Sequence, residues 1–163
     1  MNVRISPAST EAIIIWGPNN SGRSTLALQI AALISPNVIC GDDLFTPDPV
    51  ILQAESFKTG KDTRFVYSEC DETTSVIIIE NCPADFYFDQ FFNVGTTRVL
   101  AEAKGDNPFY ISPKFIFVAN DKPVSTGASF DRRFHLIETT KNKTTIEKDG
   151  VKLLVYENRD LPF

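Results

Sequence analysis

The apolar residues of this chain fall in short unbroken runs. Ala12-Ile13-Ile14-Ile15-Trp16 and Ser75-Val76-Ile77-Ile78-Ile79 have no polar alternation, and Lys114-Phe115-Ile116-Phe117-Val118-Ala119 has none after its first residue. Runs of this length and composition suit parallel strands covered on both faces. Val38-Ile39-Cys40 is a shorter run that predicts a second strand, so Lys114–Ala119 counts as the fourth. After the first strand, Ser24 to Ile34 is rich in good helix formers. Ser35-Pro36 ends that helix, because the residue before a proline avoids helical dihedrals.

Pro47 and Pro49 punctuate a loop, and Leu52 to Tyr67 has no clear period. Phe86 to Phe92 is expected on a short helix entered through Pro83-Ala84-Asp85. The segments Thr97–Glu102 and Asn107–Ile111 flank Lys104-Gly105-Asp106, which predicts a hairpin with Lys104 near its tip. A second hairpin is predicted where 143–148 and 151–157 alternate around Asp149-Gly150. No repeat is visible.

Buried strands separated by helical or loop segments define an α/β fold with a mostly parallel central sheet flanked by helices and a C-terminal β-hairpin. Ligands of such sheets sit at the carboxyl ends of the strands. Gly17, Glu80 and Asn120 each follow a predicted core strand, so three separate motifs are expected on one edge.

Composition narrows the picture only modestly. The 163 residues are 42% hydrophobic and 23% charged, which suits a single domain, residues 1–163, with its core at about 11–140. Thirteen Phe against one Trp and one Met foretell an aromatic-rich core. No apolar run approaches a membrane span, and residues 1–7 lack the pattern of an export signal, so an intracellular, soluble protein is expected. Cys40, Cys70 and Cys82 are odd in number and form no metal-spaced pair, and read as reduced, mostly buried thiols. A net charge of −5 argues against a globally basic nucleic-acid binder, leaving only local contact through a few cationic side chains.

The sharpest signal is Gly17-Pro18-Asn19-Asn20-Ser21-Gly22-Arg23-Ser24-Thr25, which fits the phosphate loop GxxxxGK[ST] at every fixed position except Arg23. Its glycines let backbone N–H groups close on phosphates at a helix N-terminus. Ser24 is placed to hold Mg²⁺. Arg23 keeps the charge of the expected Lys but presents a broad planar fork in place of a compact ammonium. The bland alternative is a Gly/Asn turn between strand and helix.

Glu80, at the end of an apolar strand, stands where an acid would hold Mg²⁺ or polarise an attacking water. Asn81 takes the place where many such ATPases carry a second acid. Asn120 could orient that water, and Arg132 or Arg133 could stabilise transition-state charge on a neighbouring subunit's nucleotide. Each has an ordinary counterpart: a solvated strand end for Glu80, a turn former for Asn120, an exposed ion pair with Asp131 or Glu138 for the arginines. His135, the single histidine, lies in an alternating segment and receives no role.

Taken in order, these motifs resemble those of the superfamily three helicases of small DNA viruses, phages and mobile elements, which have an AAA+ P-loop core. Gly17 to Ser24 looks like their Walker A and Ile77-Ile78-Ile79-Glu80-Asn81 like their Walker B. Glu102-Ala103-Lys104-Gly105, followed by Pro113 to Asn120, is similar to the stretch with a DNA-contacting hairpin lysine before the sensor asparagine. Phe130 to Glu138 resembles the arginine-finger segment. The likeness spans about residues 11–140 and departs at Arg23 and Asn81, both of which bear on hydrolysis rate.

The resemblance implies ATP and Mg²⁺ as ligands, with Glu80, Asn120, Arg132 and Arg133 catalytic, residues 17–25 binding the nucleotide, and Ser24 and Glu80 at the metal. It implies a homohexamer that draws single-stranded DNA or RNA through its pore with Lys104, a nuclease or primase on a separate polypeptide, and residence in a bacterial cytoplasm or, for a eukaryotic virus, a nucleus. Two alternatives stay open: a weakly catalytic AAA+ assembly or regulatory module, and a small P-loop kinase.

Overall fold

A computed structural model describes residues 12–92, 98–140, 143–148 and 151–156. In chain order the strands are β1 (Ala12–Trp16), β2 (Val38–Cys40), β3 (Asp43–Phe45), β4 (Val50–Gln53), β5 (Val76–Cys82), β6 (Val99–Ala101), β7 (Phe109–Ile111), β8 (Lys114–Ala119), β9 (Phe134–Glu138), β10 (Lys143–Lys148) and β11 (Val151–Tyr156). Helix α1 (Arg23–Ile34) follows β1, and the six-residue α2 (Ala128–Arg133) precedes β9. Single 3-10 turns cover Ala54–Phe57 and Phe88–Phe91.

Five strands form one all-parallel sheet in the order β4-β5-β8-β1-β9. The register aligns their ends: Gln53 lies opposite Glu80, and Trp16 lies opposite both Ala119 and Glu138. This row of carboxyl ends is the edge on which a ligand of a parallel sheet is expected.

The unbroken apolar runs conceal a strict sorting of side chains, because successive strand residues point to opposite faces. Ile13 and Ile15, Val76 and Ile78, and Ile116 and Val118 face α1 and pack with its buried Leu26, Ala27, Ile30 and Ala31. Those helix positions, at i, i+1, i+4 and i+5, form one stripe along α1. Burying each Leu or Ile there stabilises the fold by about 1.5–3 kcal/mol. The opposite face carries Ile14, Ile77, Ile79, Phe115 and Phe117, covered by Phe57, Phe88, Phe91 and Phe92 from loops and 3-10 turns. Rings meet edge-on or tilted there, as Phe88 and Phe117 do at 5.2 Å and 90°.

Several expectations are revised. Val38–Cys40 is a strand, but it pairs antiparallel with β3 in an exposed hairpin outside the main sheet. Its expected place in the sheet is taken by Val50–Gln53, a segment without a distinct sequence pattern because β4 is an edge strand four residues long. The expected helix over 86–92 shrinks to one 3-10 turn, since its phenylalanines are spent filling the sheet face. Cys40 is exposed on the outlying hairpin, whereas Cys70 and Cys82 are buried; all three are free thiols.

Strands β6 and β7 pair antiparallel, and the N–H of Asp106 closes the turn onto the Ala103 carbonyl at 3.1 Å. Gly105 takes the positive φ of 89° that this turn needs, which leaves Lys104 exposed at the tip. Residue 97 of the predicted first arm lies outside the described residues, as do 149, 150 and 157 of the C-terminal hairpin; β10 and β11 pair antiparallel between them. Among the described residues no helix is long and apolar enough to cross a membrane.

Candidate functional site

The loop from Gly17 to Gly22 connects the interior strand β1 to α1 and is fixed by the neighbouring strand β9. The Thr139 N–H donates to the Trp16 carbonyl at 2.8 Å, which extends the β1–β9 pairing one residue beyond Glu138. The Thr139 and Ser21 hydroxyls lie 2.6 Å apart, both fully buried, and Ser21 Oγ also donates to the Pro18 carbonyl at 2.6 Å. Gly17 is needed here for a local steric reason: with φ at 156°, a Cβ would lie 2.6 Å from the Thr139 carbonyl oxygen. Asn20 and Gly22 adopt left-handed dihedrals, φ 61° and 82°, and these turn the chain into the helix.

Helix α1 begins without a side-chain cap and with no acidic residue in its first turn. Its leading N–H groups therefore face the loop with the positive end of the helix dipole behind them, the condition for binding an anion. Pro18, Asn19, Asn20, Ser24 and Thr25 are exposed around this end, so it is open to a ligand.

Ser24 and Arg23 join the start of α1 to the ends of two further strands. Ser24 Oγ donates to Glu80 Oε2 at 3.1 Å, bringing together residues 56 positions apart. Arg23 Nη1 donates to the Ala119 carbonyl at 2.6 Å and also to Asn120 Oδ1, while Nη2 donates to Asn19 Oδ1 at 3.1 Å. Ser24, Arg23, Glu80 and Asn120 thus meet at one edge. The order of the sheet explains this: β8 lies between β1 and β5, which puts Asn120 between the loop and the acid.

Ser24 and Glu80 offer two hard oxygen ligands within hydrogen-bond distance, a set that fits Mg²⁺ completed by phosphate and water oxygens. No cluster of three His, Cys, Asp or Glu side chains suited to a metal occurs among the described residues. The fit therefore depends on a phosphate supplying further ligands.

Strand β5 does not end cleanly at the acid. Its pairing with β8 slips between Ile79 and Cys82, and Asn81 takes a positive φ of 60°. The bulge turns the Asn81 amide outward, where Nδ2 donates to Gln53 Oε1 at 2.6 Å. Beneath it, Cys82 is buried, which pushes its thiol pKa up to about 12, with the nearby Glu80 charge adding to the effect.

Other candidates lie elsewhere. Arg132 and Arg133 end α2 at the amino end of β9, about 16 Å of strand away from the carboxyl edge. Arg133 lies over the Phe92 ring at 5.4 Å and Arg132 is exposed, so neither reaches the phosphate loop of its own chain. Lys104 tips a hairpin that enters β8 from its amino end. Sequence reasoning also missed Thr139 and Gln53, because their roles arise from strand pairing and no local motif marks them. No protein-family model matches the chain, and no curated protein shows a match to its sequence.

Proposed function

We propose that this chain binds a nucleoside triphosphate with Mg²⁺ and is the ATPase core of an AAA+-type nucleic-acid motor. The observation that carries the reading is the hydrogen bond from Ser24 to Glu80, which joins the phosphate loop to the acid strand. The uncapped start of α1 supplies N–H donors to the phosphates, and Ser24 with Glu80 holds the metal side. Mg²⁺, when bound, neutralises charge developing on the terminal phosphates. Asn120 is positioned to orient a water toward the terminal phosphate. The placement of Arg132 and Arg133 at the opposite edge supports a role in trans, on a second copy's nucleotide, which is how a ring would use them.

The test is ATPase activity of the assembled protein with and without single-stranded DNA. Hydrolysis stimulated by DNA is expected, and Glu80→Gln should lower it by at least about a hundredfold, the scale of removing a catalytic electrostatic group. A ring that binds ATP with Mg²⁺ yet neither hydrolyses it nor responds to DNA would sink the motor reading.

One observation favours a second reading, a weakly catalytic regulatory module. The Arg23 guanidinium is engaged by Ala119, Asn120 and Asn19 and so lies along the end of β8. Arg23→Lys separates the two. A gain in turnover marks Arg23 as a brake on hydrolysis, whereas loss of robust native turnover makes its fork the working group.

A further inference from the structure

Beside Glu80, a cavity of about 550 Å³ opens between the ends of β4 and β5 and the segment 83–90. That volume falls within the range of small-ligand pockets, about 300–1,000 Å³. It does not include the phosphate loop, and no step of the ATPase reading uses it. Its floor is the Gln53–Asn81 amide pair, and Phe57, Phe86 and Tyr87 form apolar wall.

Three features mark it as built for a planar, hydrogen-bonding ligand. First, the amide pair is held in place: the bulge in β5 and the left-handed Asn81 backbone present its side chain to the cavity, and the bond to Gln53 fixes both amides. Strained backbone of this kind is a recurrent property of binding sites. That bond uses one donor of Asn81 and one acceptor of Gln53, so the pair still carries a carbonyl oxygen on Asn81 and an NH₂ on Gln53. An acceptor and a donor in one cavity suit a ligand that, like a nucleobase, carries both on its edge. Second, Tyr87 is 64% exposed and lines the wall, a large ring offered to a partner that can stack on it. Third, Glu55 is paired with Lys61 at 3.6 Å, which leaves Asp85 and Lys58 as the other charged lining residues and gives the cavity no cluster of cations for a phosphate.

We propose that this cavity binds a neutral nucleoside, with its base stacked on Tyr87 and its hydrogen-bonding edge met by Gln53 and Asn81. The site is separate from the phosphate loop, and binding there does not rest on the ATPase reading.

The test titrates adenosine, guanosine, cytidine and uridine into the full chain by saturation-transfer NMR, alongside the matching monophosphates, a short single-stranded oligonucleotide and MgATP. At least one nucleoside should bind more tightly than its monophosphate and than the oligonucleotide. Tyr87→Ala should weaken it by about tenfold or more, the scale of one lost base-stacking contact. Asn81→Gly should do the same while the fold is retained, because glycine accepts the left-handed backbone at lower cost. MgATP binding should survive both substitutions. The proposal is overturned if no nucleoside binds at about millimolar concentration, if both variants bind as the parent does, or if the phosphorylated ligands bind more tightly. It is equally overturned if MgATP competes for the cavity and is lost in Tyr87→Ala, since the pocket would then hold the base of ATP itself. Loss of MgATP binding in the parent chain with nucleoside binding intact would remove the ATPase reading alone.

Discussion

The two faces of the central sheet are filled by different means. On one, a single helix lays Leu26, Ala27, Ile30 and Ala31 onto branched aliphatic residues. On the other, short turns and loops drop phenylalanines onto Phe115 and Phe117. A helix brings its own hydrogen-bonded backbone and can cover a face with small side chains. A loop cannot, so large rings must span the space its irregular backbone leaves. The helix face therefore ends in the uncapped helix start that follows the phosphate loop, while the aromatic face ends in the cavity lined by Asn81 and Tyr87.

The aromatic layer should be the more costly to breach. Phe117 meets Phe86, Phe88, Phe91, Phe115 and Phe134. Phe117→Ala should cost about 3–5 kcal/mol in urea unfolding. A loss below about 1 kcal/mol would mean that this layer is not closely packed. On the helix face, Ile30 is fully buried, and Ile30→Ala should cost about 2–5 kcal/mol. It should also weaken MgATP binding, because α1 seats the phosphate loop; unchanged affinity would uncouple the helix face from the site.

Alkaline pH should act on the aromatic face, where buried Cys70 and Cys82 and half-buried Tyr67 lie. Burial raises the thiol of Cys70 from 9.0 to about 11 and that of Cys82 from 9.0 to about 12, and pushes the Tyr67 hydroxyl higher still. Well below pH 9 all three are protonated in both folded and unfolded chains. Above it the unfolded thiols lose protons that the folded protein keeps, so stability falls as pH rises from about 9 toward 12, by at most about 1.4 kcal/mol per pH unit per group. Urea midpoints from pH 8 to 11 would show the decline, and Cys82→Ala should flatten it. A slope unaltered by that substitution would locate the titration elsewhere. The same burial predicts that a thiol reagent labels exposed Cys40 well before Cys70 and Cys82. The smallest effect expected is that of Ile78→Val under α1, about 0.5–1.5 kcal/mol, since one methyl is lost from a face of similar branched neighbours.

By itself the sequence determined three strands of the main sheet and their parallel class. Unbroken apolar runs at 12–16, 75–79 and 114–119 could be buried only on both faces, and GPNNSGRST could only be a turn rich in left-handed residues leading into the helix that Pro36 stops. It also placed Glu80 and Asn120 at strand ends. Tertiary structure decided which ends became neighbours. The order β4-β5-β8-β1-β9 brings Ser24 to Glu80 and Arg23 to Asn120, and the parallel β1–β9 pairing leaves Arg132 and Arg133 at the other edge. It chose the faint segment Val50–Gln53 over the plainer Val38–Cys40 as the edge strand, and made Thr139 the anchor of the loop. Local sequence sets dihedrals and burial, whereas strand order and register are settled between segments far apart in the chain, where no local pattern records them.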